Sequence, residues 1–584
     1  MGIEVSPDYW KLTEAAWIAK QQADGGWAYK DKDYPITPGI TAVGVATLYI
    51  TQDYLHANRG LGCNGNVASP PIDKGLKWMV DHFGQIATDQ EYDRDFPYAT
   101  LYAVERIGVA SGLKHFGGID WYQKGADWLL AKQRKDGSWA EGGSGFIPAS
   151  CNTSFGILFL TRGRAPVAFN KLEYTAADGT TPAAWNQRPR DVANVARWIS
   201  QAAERDLSWQ IVSIAAPVED LHESPLLYVS GKEDWAPNDD QKKKVKAFIE
   251  GGGVILANAD CGGRGFAASV QKLGKELFPS YEFREIPADH PIYTEQQFTR
   301  DKWRIKPSVL GLSNGVRELF ILIPTGDIGK AWQLNIVGGR EDLWQLGADI
   351  FQYAVDKRNL HLKGESHLVK RDDAVKADRT IKVARLEYAG NWNPEPGGWL
   401  RLSNVMHNRD KADLEVTPVK LGSGALATSG AKFAHLTGTT KLAIDPMAQA
   451  ELKKFVEAGG TLLIDAAGGS SDFATAAETL LESMFPGAKP KRLPADHALY
   501  AAASAGEKPL SEVAYRPYAK ARIGASDAAP RIQGVEQNGR IVAFYSREDL
   551  SAGLVGQPID GIIGYEPSSA TALMSRIVLH ASAK

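Results

Sequence analysis

The sequence predicts an array of stacked helix pairs followed by two copies of one α/β unit, each built on a mostly parallel sheet. Three observations carry that prediction. The chain has 584 residues, more than a single hydrophobic core accommodates. Tryptophan-bearing amphipathic segments recur within the first 165 residues at the spacing of helix pairs. From residue 168 onward the chain repeats itself, most clearly at a constant offset of 207.

In the first segment, Lys124-Gly125-Ala126-Asp127-Trp128-Leu129 leads to Gln133 and then to Asp136-Gly137-Ser138-Trp139. Trp17-Ile18 leads in the same way to Gln22 and Asp24-Gly25-Gly26-Trp27. Each reads as an amphipathic helix stopped by an Asp-Gly turn, with a Trp closing over the helix end. Lys74-Gly75-Leu76-Lys77-Trp78-Met79 supplies a third helical part that lacks the Gln and the closing Trp. Thr41 to Asp53 and Pro97 to Val109 leave room for a second helix per repeat. The tryptophans are assigned to core packing rather than to a ligand groove. Asp93 and Asp95, with Glu105 and His115, read as solvated caps around a helix start at Pro97 rather than as a metal cluster.

In the second segment Gly231 matches Gly438, Gly252-Gly253 matches Gly459-Gly460, and Phe278-Pro279 matches Phe485-Pro486. Pro287-Ala288-Asp289-His290 recurs as Pro494-Ala495-Asp496-His497. Asn238 and Asp445 are good N-caps, and the paired glycines supply the stops. Val254-Ile255-Leu256-Ala257 and Thr461-Leu462-Leu463-Ile464 then read as strands buried on both faces. Leu172-Glu173-Tyr174 and Leu386-Glu387-Tyr388 open the two copies, and Leu319 to Ile323 and Ile541 to Tyr545 supply a late strand in each. Alternation of strands and helices argues for an open parallel sheet covered by helices.

Composition narrows the function. Lys+Arg number 66 against 69 Asp+Glu, so a polyanion-binding protein is not expected and nucleic acid is not the expected partner. The longest apolar stretch, near Ile40 to Ile50, is too short for a membrane span. The three cysteines, Cys63, Cys151 and Cys261, are too few and too far apart in sequence for a disulfide framework or a Cys-rich zinc site. The opening Met-Gly-Ile-Glu-Val-Ser shows no secretory signal, so the expectation is a cytoplasmic or trimmed chain.

The Lys124 to Trp139 motif resembles the QW repeat of squalene cyclases and the α/α toroid of protein prenyltransferases, here a partial toroid. That resemblance implies that Gln22, Trp27, Gln133 and Trp139 tie helix ends to the following turns. The families' catalytic parts are missing: Asp31-Lys32-Asp33-Tyr34 and Asp93-Arg94-Asp95-Phe96 lack the last carboxylate of the cyclase acid, and no cysteine has an Asp two positions before it. The later region resembles a bacterial domain family of unknown function with a flavodoxin-like, class I glutamine amidotransferase-like fold. Val383-Ala384-Arg385-Leu386-Glu387-Tyr388, Asn391-Trp392-Asn393-Pro394-Glu395-Pro396 and Asn538-Gly539-Arg540 carry that likeness. The expected domains are 1–165, 168–364 and 380–584, with a linker at Glu365 to Arg379. Relatives of this architecture are usually exported.

Cys261 follows a strand and precedes a helix, where amidotransferase-like enzymes place a nucleophile; His290 or His222 is the candidate base. Against that, Gly468 stands opposite Cys261 in the second copy, and Gly262-Gly263 is not the usual elbow. Asp289, His290, Asp496 and His497 follow a strand in both copies and are read as polar fixtures of a binding cleft or as structural hydrogen-bonders. No metal or cofactor is expected. The favoured function is a non-catalytic binding or scaffolding protein for a protein or glycan partner. A cysteine-dependent hydrolase or amidotransferase-like enzyme using Cys261 is the alternative, and an isoprenoid cyclase the third reading.

Overall fold

The computed structural model of the chain describes residues 5–30, 34–88, 96–139, 147–357, 361–501, 509–524 and 528–582. Among the described residues six helices come first: α1 (Pro7–Lys20), α2 (Pro38–Leu55), α3 (Pro70–His82), α4 (Pro97–Ser111), α5 (Trp121–Lys132) and α6 (Ala149–Gly163), with a hairpin of β1 (His115–Phe116) and β2 (Ile119–Asp120) before α5. Proline opens the first four, where its missing N–H has no intrahelical partner to lose. Helices α2, α4 and α6 lie side by side, and α1, α3 and α5 pack onto that row. Trp27, Trp78, Trp121 and Trp139 are buried between them, as core residues.

The repeated contacts shift one expected residue. Trp139 Nε1 donates to the Leu129 carbonyl at 2.8 Å, and Gln133 Nε2 donates to the Gly137 carbonyl at 3.0 Å. In the first repeat Trp27 Nε1 donates to the Trp17 carbonyl at 2.8 Å, but Gln21, not Gln22, donates to Gly25, at 2.9 Å. Gln21 also reaches the Pro71 carbonyl at 2.8 Å, whereas Gln22 Nε2 is buried without a hydrogen bond. Counting back from the closing tryptophans, Leu129 matches Trp17 rather than Ile18, so aligning the segments on their Trp-aliphatic pairs puts the Gln one residue late.

The first α/β unit contains β3 (Val167–Glu173), α7 (Asp191–Ala202), β4 (Ser208–Ser213), α8 (Val218–Leu221), β5 (Leu226–Gly231), α9 (Asp239–Glu250), β6 (Val254–Ala259), α10 (Arg264–Leu277), β7 (Phe283–Glu285), α11 (Pro291–Thr294), β8 (Leu310–Ser313), β9 (Glu318–Ile323), α12 (Ile328–Leu334) and α13 (Glu341–Ala354). The second contains β10 (Arg379–Glu387), α14 (Pro396–Asp410), β11 (Ala412–Lys420), β12 (Phe433–Gly438), α15 (Pro446–Glu457), β13 (Thr461–Ala466), α16 (Ser471–Met484), β14 (Lys491–Arg492), α17 (Pro517–Ile523), β15 (Gln533–Gln537), β16 (Arg540–Ser546) and α18 (Pro567–Ser582). Each builds a seven-stranded sheet, ordered β4-β3-β5-β6-β9-β8-β7 and β11-β10-β12-β13-β16-β15-β14. Five neighbouring strands are parallel, and the last two at one edge are antiparallel.

The bounds of β5, β6 and α10 recur in β12, β13 and α16 at the offset of 207 that the sequence shows. The antiparallel edge is new: Asn314-Gly315 is the turn joining β8 to β9, and β8 is too short and too glycine-interrupted to announce itself.

The six-helix unit docks on the sheet edge at β4. Ile211 N–H donates to the Gly112 carbonyl at 2.6 Å. Gly112 has φ +73, and a Cβ there would stand 2.6 Å from the Trp209 ring, so only glycine fits. The two sheet units are joined by the buried pair Arg317 and Glu395, 2.7 Å apart, and Asn314 Nδ2 donates to Glu395 at 2.8 Å. Arg317 also donates to the Ile249 and Gly253 carbonyls, while Arg540 does the same for Val456 and Gly460 in the second unit.

Candidate functional site

Parallel sheets gather ligand-facing groups at the carboxyl ends of their strands. At the end of β6 the chain enters a left-handed turn, with φ +57 at Cys261 and +68 at Gly262. Asp327, the N-cap of α12, supports that turn by accepting the Cys261 N–H at 2.8 Å. Arg188, wholly buried, donates to the same carboxylate at 2.6 Å. Its Nη2 also lies 3.0 Å from Cys261 Sγ and 3.3 Å from Cys63 Sγ.

The two sulfurs meet. Cys63, in the connection from α2 to α3, forms a disulfide with Cys261; the Cα atoms are 6.4 Å apart and the residues 198 apart in sequence. The expectation that the cysteines stand too far apart is therefore corrected, because sequence separation sets no lower bound on distance once the helical unit folds onto the sheet. Cys151 is exposed and free. Cys63, Cys261 and Asp327 place ligand atoms within 4.8 Å of one another, a donor set for a soft metal ion. Arg188 sets a fixed positive charge among them, and the disulfide occupies both sulfurs; both features oppose a cation.

Behind this surface lies a buried polar layer. Lys171 Nζ donates to Asp191 and to the Arg188 carbonyl, both at 2.6 Å. Asn258 Nδ2 donates to Asp260 at 2.9 Å. Burial, then the neighbouring Asp327 and Asp191 carboxylates, push Asp260 up to about 7. Tyr228 Oη and Asn258 Nδ2 come so close to Gly329 that a Cβ there would sit 2.9 and 3.2 Å from them.

The second unit fills the same level differently. His435 stands where the first unit has Tyr228, and Asp465 where it has Asn258. His435 Nε2 and Asp465 Oδ1 are 2.5 Å apart, and the other ring nitrogen faces Arg385. Ser551 Oγ donates to Asp465 at 2.9 Å. Burial lowers His435, reinforced by Arg385. Although the residue types are those of a hydrolase triad, the serine hydroxyl contacts the Asp465 carboxylate and Thr437 Oγ1 instead of the imidazole. The cluster's sequence signals were polar residues within apolar strand runs: Asp465 beside Leu462-Leu463-Ile464, His435 within Phe433 to Leu436 and Arg385 within Val383 to Leu386.

The candidate bases stand elsewhere. His290 accepts the Ile292 N–H at 3.2 Å as cap of α11, and its Nε2 lies 3.5 Å from Glu318, the first residue of β9. Cys261 follows the opposite, carboxyl end of the parallel strands, and β9 is roughly 20 Å long. His222 packs on Phe248 and His367, beside Gly251 at the amino end of β6. The Cys261–His290 pairing is thus corrected: His290 faces Glu318, whereas Cys261 faces Asp327 and Arg188. His497 likewise caps its turn, accepting the Leu499 N–H at 3.1 Å. Asp289 and Asp496 are exposed.

In the helical unit Asp31, Asp33, Asp93 and Asp95 lie outside the described residues. Glu105 is no solvated cap: it is wholly buried, neither carboxylate oxygen has a hydrogen bond, and burial pushes it up to about 7. His115 lies 3.5 Å from Asp220.

Among the described residues, no helix is long and apolar enough to cross a membrane. A family model described as a domain of unknown function (DUF4159) matches residues 168–355 and again 382–581. No curated protein matches the chain.

Proposed function

The chain belongs to the DUF4159 family, whose domain it carries twice, and on that premise we propose that it is a non-catalytic binding or scaffolding protein. The units would be 1–165, a partial α/α toroid like those of prenyltransferases and squalene cyclases, and 168–364 and 380–584, two amidotransferase-like sheets. One observation carries this reading. Cys261, the residue at the nucleophile position, has its sulfur engaged by Cys63 and Arg188, while the candidate bases have other neighbours, His290 beside Glu318 and His222 beside Phe248 and His367. The counterpart position holds Gly468, so the second copy has no nucleophile there.

Binding surfaces are available. Tyr29, Ile40, Val43 and Phe96, partly exposed, line an apolar hollow of about 190 Å³ between the starts of α2 and α4. Apolar hollows with a few polar groups, here Thr37 and Thr100, suit a partner side chain or a sugar face.

The alternative, an amidotransferase-like enzyme, rests on the left-handed turn at Cys261. Treating the reduced full-length chain with 6-diazo-5-oxo-norleucine separates the two. The binding reading expects no adduct at Cys261 by peptide mass mapping; a stoichiometric adduct that disappears in Cys261→Ser would overturn it.

A further inference from the structure

A second hollow, about 250 Å³, opens where α2 and α4 of the helical unit meet α7 and β4 of the first sheet unit. Three arginines line it, Arg106, Arg190 and Arg197, against one carboxylate, Asp53. Among the described residues no other acidic side chain lines it.

The three guanidiniums are not equivalent. Arg190 is buried and fully committed: it donates to Asp53 at 2.8 and 3.2 Å and to the Ala110 carbonyl at 2.6 Å, and lies over the Tyr49 and Trp209 rings. That pair closes the floor and engages the one carboxylate. Arg197, two turns further along α7, meets the same carboxylate only at 3.5 Å, and about half of its side chain is exposed. Arg106 has a carboxylate neighbour in sequence, Glu105, but that group is turned into the helical core. The walls therefore carry two further cationic forks, Arg106 and Arg197, while Asp53, already held by Arg190, is the one carboxylate among the described lining residues. Ile50 and Val109 add apolar surface, and Ser208 a hydroxyl.

A guanidinium presents paired donors at the spacing of carboxylate oxygens, and partial burial strengthens the attraction over that at an open surface. The volume is below that of drug-sized sites and suits one sugar ring. We propose that this crevice binds a small carboxylate-bearing molecule of sugar-acid size, held by Arg106 and Arg197 with its ring against Ile50 and Val109. The proposal rests on the binding reading above and names the ligand chemistry that one surface would take.

The test is calorimetric titration of the full-length chain with D-glucuronate, citrate and D-glucose, repeated on Arg106→Gln, Arg197→Ala and the double variant. Circular dichroism and thermal midpoint confirm folding, and Arg190, which holds the floor, is left unchanged. Saturable binding of glucuronate or citrate, weakened about tenfold or more in the double variant and accompanied by no glucose binding, is the expected result. The proposal is overturned if neither acid binds saturably, if glucose binds as well as glucuronate, or if the double variant binds undiminished. Those failures leave Cys261 chemistry untouched, whereas an adduct at Cys261 would sink the binding reading with the crevice unaltered, so the two outcomes are distinguishable.

Discussion

Asp549 accepts the backbone N–H of Gly468 at 2.9 Å, the second unit's version of the bond from Cys261 to Asp327 at 2.8 Å. Both carboxylates hold the left-handed turn that ends the central strand. In the second unit Asp549 also accepts the N–H groups of Ala552 and Gly553, at 3.0 and 3.1 Å, and is wholly buried. Truncating it to Ala orphans three N–H groups, each worth about 1–3 kcal/mol when buried. Asp549→Ala is expected to lower unfolding stability by at least about 3 kcal/mol. A urea denaturation midpoint within error of wild type would show that the turn holds without its acceptor.

Cys63 and Cys261 join units that are distant in the chain, so the bond closes a long loop. In the chain-entropy picture a loop of 198 residues corresponds to about 5 kcal/mol, an upper figure for a bond between already packed units. Tryptic mapping of air-oxidised protein should find the Cys63 and Cys261 peptides linked and Cys151 free. Reduction should lower the thermal midpoint of wild type but not of Cys63→Ser. Finding Cys151 in the linkage would contradict the packing of the helical unit on β4.

Glu105 gives the fold a pH dependence of defined sign. Burial raises its folded-state value to about 7, above the ordinary 4.5, so between those values the folded chain holds a proton that the unfolded chain releases. Its contribution to stability is present below about 4.5, is lost as pH rises toward 7, and is gone above it. Glu105→Gln abolishes that loss. The variant should gain up to about 3 kcal/mol on wild type between about pH 4.5 and pH 8, read from parallel denaturant melts. A gain independent of pH would mean that the carboxyl is solvated or paired.

Gln21 and Gln22 separate the structural register from the one suggested by alignment. Gln21 makes two hydrogen bonds to carbonyls and Gln22 Nε2 none. Gln21→Ala is expected to cost about 1–2 kcal/mol and Gln22→Ala close to nothing or a slight gain. The reverse order in thermal unfolding would restore Gln22 as the residue that ties the helix end.

The helical unit and the twin sheets were legible from local signals. Prolines at helix starts, paired glycines at stops and apolar runs of strand length act within a few residues, and the offset of 207 carried them from one copy to the other. The strand at β7 was legible, but β8 and the antiparallel pairing of β7, β8 and β9 were not, since three- and four-residue strands take their pairing from the sheet they join. At the site, Cys261 was identified but its partner was not, because Cys63 lies on another unit. His290 was identified by its recurrence, but its neighbour Glu318, which lies on a later strand, was not.

By itself the sequence determined the order of units, the duplication and the position of Cys261 after a central strand, because these depend on periodicity, capping and repetition along the chain. Only the tertiary structure decided that Cys261 bonds to Cys63, that Arg188 serves both sulfurs, that Glu105 is buried, and that Arg106 and Arg197 face one crevice. Each of these depends on where separate units dock, and docking brings together surfaces whose positions in the chain carry no record of that contact.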